Sequence, residues 1–70
     1  MKLKINNSYD IEGGYLIVRS HTNAMSAENY AIVQLLIGGD NHYISSMRTM
    51  SHKELRKILG VSNKERIEII

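Results

Sequence analysis

The sequence predicts a small α+β domain, a small antiparallel sheet of about four strands with one short helix (residues 52–59) packed on it. Three observations lead there. Residues 51–62, SHKELRKILGVS, carry both a start and a stop signal for a helix. Before them, short β-rich runs recur between Gly-Gly and Asn-rich turns, the pattern of hairpins. At roughly two turns, the helix is also shorter than the ~12–15 residues that hold a helix alone in water, so a sheet has to supply its packing surface.

The helix is the most legible element. Ser51 stands three residues before Glu54, the S-x-x-E spacing of a capping box. Met50 precedes the cap and Leu55 occupies the fourth helical position, so the two can form a hydrophobic staple. Leu55, Ile58 and Leu59 fall on one face, and Lys53, Arg56 and Lys57 on the other. Gly60 comes where a left-handed terminating residue is wanted, and Val61 can fold back on the last turn.

The other elements follow in chain order. Lys2–Ile5 alternates charged and apolar residues as a half-exposed strand does, and Asn6-Asn7-Ser8 is turn chemistry. Tyr9–Ile11 and Tyr15–Val18 flank Glu12-Gly13-Gly14, a hairpin in which the glycines would supply positive φ. His21–Asn29 reads as a polar connection. Tyr30–Ile37, YAIVQLLI, admits two readings. Ser26 could cap a helix that begins with Ala27-Glu28 and ends at Gly38. The β-branched residues, and a following hairpin turn Gly38-Gly39-Asp40-Asn41, favour a strand. His42–Met47 alternates as a strand near a sheet edge does. After the helix, Ser62-Asn63-Lys64 is a turn and Arg66–Ile70 a last strand with one unpaired edge, a place for another chain to pair.

Seventy residues make a single domain, 1–70. A core of that size seldom supplies more than ~3–5 kcal/mol, and small domains lean on disulfides, a metal or a partner subunit. The chain has no cysteine, and neither Phe nor Trp. Self-association is the remaining staple, and a homodimer is expected. No signal peptide is visible, and the longest apolar run is too short to span a bilayer. A soluble cytoplasmic protein with no membrane contact is expected. The net charge of +2 lies entirely in the last twenty residues, where Lys53, Arg56, Lys57, Lys64 and Arg66 outnumber Glu54, Glu65 and Glu68.

Residues suited to catalysis are few. His21, His42 and His52 with Asp40 match no metal-ligand spacing. No serine lies in a nucleophile motif, and the Gly-Gly pairs lack the context of a phosphate loop. Neither an enzyme nor a cofactor is expected. Met47 and Met50 flank Arg48 just before the helix, and methionine recurs on adaptable binding surfaces. With His52, Lys53, Arg56 and Lys57 they outline a soft, basic-rimmed patch for a partner protein. The alternative occupant of the basic helix face is nucleic acid, as in a DNA-binding transcriptional regulator or antitoxin.

Two local resemblances bear on this choice. Glu54-Leu55-Arg56-Lys57-Ile58-Leu59-Gly60-Val61 followed by Arg66-Ile67-Glu68-Ile69 resembles the helix and next strand of AbrB-type swapped-hairpin DNA-binding domains. From Tyr30 onward the layout is similar to the small uracil-DNA glycosylase inhibitor of short-tailed Bacillus phages. The shared features are a Tyr-initiated strand ending in Leu35-Leu36, a turn with Asp40, and a second strand with Tyr43. Met50-Ser51 then lead into a helix with Glu54, Leu55, Leu59 and Gly60, followed by a final strand. That resemblance implies a small dimeric inhibitor of a host enzyme or defence protein. The enzyme-facing helix positions of that family would correspond to Leu55 and Leu59.

Overall fold

Leu16 and Val18 alternate with Tyr15 and Ile17, and a pleated strand sends the two pairs to opposite faces. The computed structural model, which describes residues 1–22 and 30–70, shows this alternation repeated across a sheet. Its elements are β1 (Lys2–Leu3), β2 (Ser8–Ile11), β3 (Gly14–Thr22), β4 (Tyr30–Gly39), β5 (His42–Ser51), α1 (His52–Leu59) and β6 (Glu68–Ile69). Strands β2, β3, β4 and β5 form an antiparallel sheet in that order, while β1 and β6 pair in parallel as a separate ribbon. The fold is α+β, with the helix at the expected residues.

Register assigns the faces. Leu16 pairs with Leu35, Val18 with Val33, and Ala31 with Met50, and all six are buried. Leu3 from β1, Leu55 from α1 and Ile67 close over them, with Tyr9, Ile11, Ile58, Leu59 and Ile69 half-buried around the rim. The helix and the ribbon therefore form a second layer on one face of the sheet, as a domain with a single core requires. The segment Tyr30–Ile37 is strand. Its helix-like appearance comes from apolar residues on both faces of β4: Val33 and Leu35 inward, Ile32 and Leu36 outward. The cap proposed at Ser26 lies outside the described residues.

The anchor helix closes as its sequence requires, with one change. Ser51 is extended (φ −73°, ψ 163°) and its Oγ accepts from the Glu54 amide at 3.2 Å. The Glu54 carboxylate accepts from the Ser51 hydroxyl at 3.3 Å rather than reaching the cap's own amide. Ser51 is also the last residue of β5, paired with Tyr30. Gly60 takes φ +70°, and the amides of Gly60 and Val61 donate to the Lys57 and Arg56 carbonyls (3.2 and 3.0 Å), a Schellman close.

Several boundaries differ from expectation. Strand β1 stops at Leu3, because Asn6 turns the chain with φ +70° and its amide donates to Val18. His21 and Thr22 belong to β3 and not to a connection, while 23–29 lie outside the described residues. The β4–β5 turn is only Asp40-Asn41, whose own φ values are positive (51° and 69°), and Gly38 and Gly39 remain in the strand. Strand β5 runs past Met47 to Ser51 and is an edge strand. In the first hairpin Gly13 alone has positive φ (+83°); Gly14 is there because a Cβ would sit 1.8 Å from the Leu36 carbonyl oxygen. The C-terminal strand is two residues long and already carries β1 along one side, with the Ile70 amide donating to the Leu3 carbonyl.

Candidate protein-binding surfaces

The residues expected to form one basic-rimmed patch divide among three environments. Met50 is 6% exposed and belongs to the core as the inner half of the staple with Leu55, with little surface left to reach solvent. Arg56 is half-buried, and its Nε donates to the Glu65 carbonyl at 2.6 Å, fastening the helix to the loop that follows. It is a structural side chain, not a free cation. Leu55, one of the positions implied to face a partner, is fully buried, and Leu59 is half-buried against the core. A helix with a sheet beneath it has only one face left for solvent.

Arg48, Lys53 and Lys57 remain exposed. Arg48 shares the α1 side of edge strand β5 with Met50, since it pairs with the inward Val33. Lys53 and Lys57 lie one turn apart on α1. Between α1 and β5 a shallow depression of about 410 Å³ is lined by Met50, Glu54, Lys57 and Ile58. Its floor is aliphatic, and its charged lining is one acid and one base, Glu54 and Lys57.

His52, half-buried at the start of α1, meets His21 from the end of β3. Their Nε2 atoms are 3.3 Å apart and the rings lie at 28°. One hydrogen shared between the two nitrogens satisfies that contact, and a proton on both would oppose it. Burial holds the His52 pKa below the ordinary histidine value, and His21 and Arg56 push it the same way. The sequence showed three histidines but not that two of them meet. Among the described residues, no group of three or more His, Cys, Asp or Glu side chains is placed to hold a metal ion.

Met47, at 57% exposure, is on the opposite side of the sheet. That face has no layer over it among the described residues. It carries Tyr15 and Ile17 from β3, Ile32 and Leu36 from β4, and Tyr43 and Met47 from β5. Tyr15, Ile32 and Tyr43 are 37%, 41% and 47% exposed. Tyr43 is in register with Gly38, which has no side chain, and its ring reaches Tyr15 at 5.6 Å between centroids. The hydrogen bond that the Tyr15 hydroxyl donates to Tyr43, with the nearby Tyr43 and Asp10 charges, raises the Tyr15 pKa. In the middle of the face, Arg19 Nε and Nη2 donate to Gln34 Oε1 (3.0 and 2.8 Å), and Nη1 donates to Asn6 Oδ1 (2.9 Å). Gln34 Nε2 in turn donates to Ser45 Oγ at 2.8 Å. Sequence reasoning missed this surface, although its signal was present: β4 is apolar at both parities.

No described helix is long and apolar enough to cross a membrane. Comparison with protein-family models, curated proteins and solved structures gives no match to this chain.

Proposed function

We propose that the protein is a non-enzymatic regulator that works by binding another protein, a small phage-type inhibitor of a host enzyme or defence protein in the cytoplasm. The observation that carries this reading is the depression between α1 and β5. It is lined by Ile58, the small exposed part of Met50, Glu54 and Lys57, with exposed Lys53 one turn from Lys57 on the same helix, which is chemistry for an apolar side chain of a partner with an acidic group set against the lysines. The layout resemblance from Tyr30 onward supplies the class of partner, a host protein. The DNA-binding reading is the weaker of the two. With Arg56 engaged by Glu65, the helix offers Lys53 and Lys57, and two or three phosphate contacts make for weak binding at physiological salt.

The experiment is retention of proteins from a bacterial lysate on the immobilised chain, washed at high salt, with the Lys53→Glu/Lys57→Glu variant in parallel. The expected result is one host protein held by the parent and weakened roughly tenfold or more in the variant, because like charges then face each other across the rim. Equal retention by parent and variant would overturn the reading. So would tight, steeply salt-dependent binding of the parent to duplex DNA.

A further inference from the structure

We infer that the open face of the four-stranded sheet is covered by the same face of a second copy of this chain. The inference does not depend on the regulator reading, which concerns the opposite side of the sheet.

Four observations point to a second copy. The face exposes a group of large apolar side chains, Tyr15, Ile32, Tyr43 and Met47, with Ile17 and Leu36 half-buried between them and the small polar Ser45 and Thr49 beside them. That is the composition of the centre of an association surface, not of a solvated sheet. Second, charge is sparse and balanced. Among the described residues of the sheet, the charges on this side are Asp10, placed by register, and Arg19, which sits at the β3 bulge and reaches this side through Gln34, one of each sign. A face that is neutral overall can meet itself, whereas a face of one sign repels its own copy.

Third, the polar centre is already satisfied. Arg19, Gln34, Ser45 and Asn6 bond to one another, so covering them orphans none of the bonded groups. Fourth, the area suits a stable pair. Three strands of nine or ten residues and one of four, spaced ~4.8 Å apart with ~3.4 Å rise per residue, project to roughly 500 Å². Side-chain relief carries the accessible area toward the ~800 Å² per partner of a standard interface. The arrangement is a sandwich of two sheets ~10 Å apart, with α1 of each copy on the outside. A partner of another kind would leave these apolar side chains in water whenever it was absent; a second copy is always present.

The test combines mass and methyl accessibility. Sedimentation equilibrium of the parent at micromolar concentration is expected to give two chains. Met47→Glu is expected to weaken the pair at least roughly 100-fold, since it replaces an apolar contact on the covered face with a carboxylate that the second copy would strip of water. Ile44→Lys is the control. Ile44 is 79% exposed on the other side of β5, and its substitution leaves the mass at two chains. If Met47→Glu loses its far-ultraviolet circular dichroism, the parent still decides the question by methyl NMR with a soluble paramagnetic agent. Protected Met47 and Ile32 methyls beside a broadened Ile44 methyl support the inference. A single-chain mass for the parent, a dimer indifferent to Met47→Glu, or equal broadening of Met47 and Ile44 would overturn it.

Discussion

Leu55→Ala tests the core more sharply than any other single change. Leu55 is the one helix residue with no exposed surface. It closes over Met50, with Leu3 and Ile67 in the same cluster. Truncation removes three carbons from a close-packed site, and such changes cost ~2–5 kcal/mol according to how far the surroundings collapse. Helix α1 is on the outside of the domain and can settle toward β5, so about 3 kcal/mol is the expected loss. A core of this size supplies only ~3–5 kcal/mol, so the variant sits near the edge of folding. The assay is urea denaturation by far-ultraviolet circular dichroism beside Lys53→Ala, an exposed change on the same helix worth within ~0.5 kcal/mol. If the chains pair, the midpoint of Leu55→Ala also rises with protein concentration. A Leu55→Ala midpoint matching that of Lys53→Ala would refute the account of how the helix is held.

Three further outcomes are expected. Ser51→Ala removes the acceptor of the Glu54 amide and should lower stability by ~0.5–2 kcal/mol in the same assay. Gly14→Ala should cost more than ~3 kcal/mol, above the usual range for overpacking, because its Cβ would meet backbone atoms of β4 and the strands must part; unchanged melting would show that they can. The folded-state pKa of His52 lies below its unfolded value, so the unfolded chain binds the extra proton first as pH falls. Stability contributed by neutral His52 is complete above about pH 6.5, the ordinary histidine value, and is lost as pH drops toward the lower folded value. Melting temperatures between pH 7.5 and 5.5 should therefore fall, and His52→Gln should flatten the slope.

How much of this was legible depended on the range of the interactions. The helix could be read to the residue because its cap, staple and stop lie within eleven positions, Met50 to Gly60, and act through local amides. The hairpins were legible in place but not in bounds. Asp and Asn can adopt positive φ, so Asp40-Asn41 formed the turn and the glycines beside it were free to stay in the strand. The roles of Arg56 and His52 were not legible at all, since each is set by one distant partner, Glu65 or His21. The pairing of β6 with β1 joins the two ends of the sequence and leaves no trace in either. Met50 reads both as staple and as binding residue; burial makes it chiefly staple, with only a small remnant of surface in the depression beside α1.

The two faces of the sheet ask for partners of different kinds. On the α1 side a small depression with an aliphatic floor is edged by Glu54 and Lys57, and Arg48 and Lys53 are exposed on the same side of the domain. Charges at a rim speed encounter and set specificity more than they add affinity, so on the proposed reading the aliphatic floor is what holds the partner. On the other side a sheet face rich in apolar side chains carries, among the described residues, one charge of each sign, and its exposed rings and methyls gain most from a cover that never leaves. A chain whose β4 is apolar at both parities has to bury both sides of that strand, and its own helix and ribbon reach only one. If a second copy covers the other, the two depressions are carried outward on opposite sides of one particle. Each then binds without interfering with its neighbour, and a target that is itself paired is held at two points with the gain in avidity that linkage brings. The same hydrophobic excess that leaves the single chain incomplete thereby sets the valency of the assembled one.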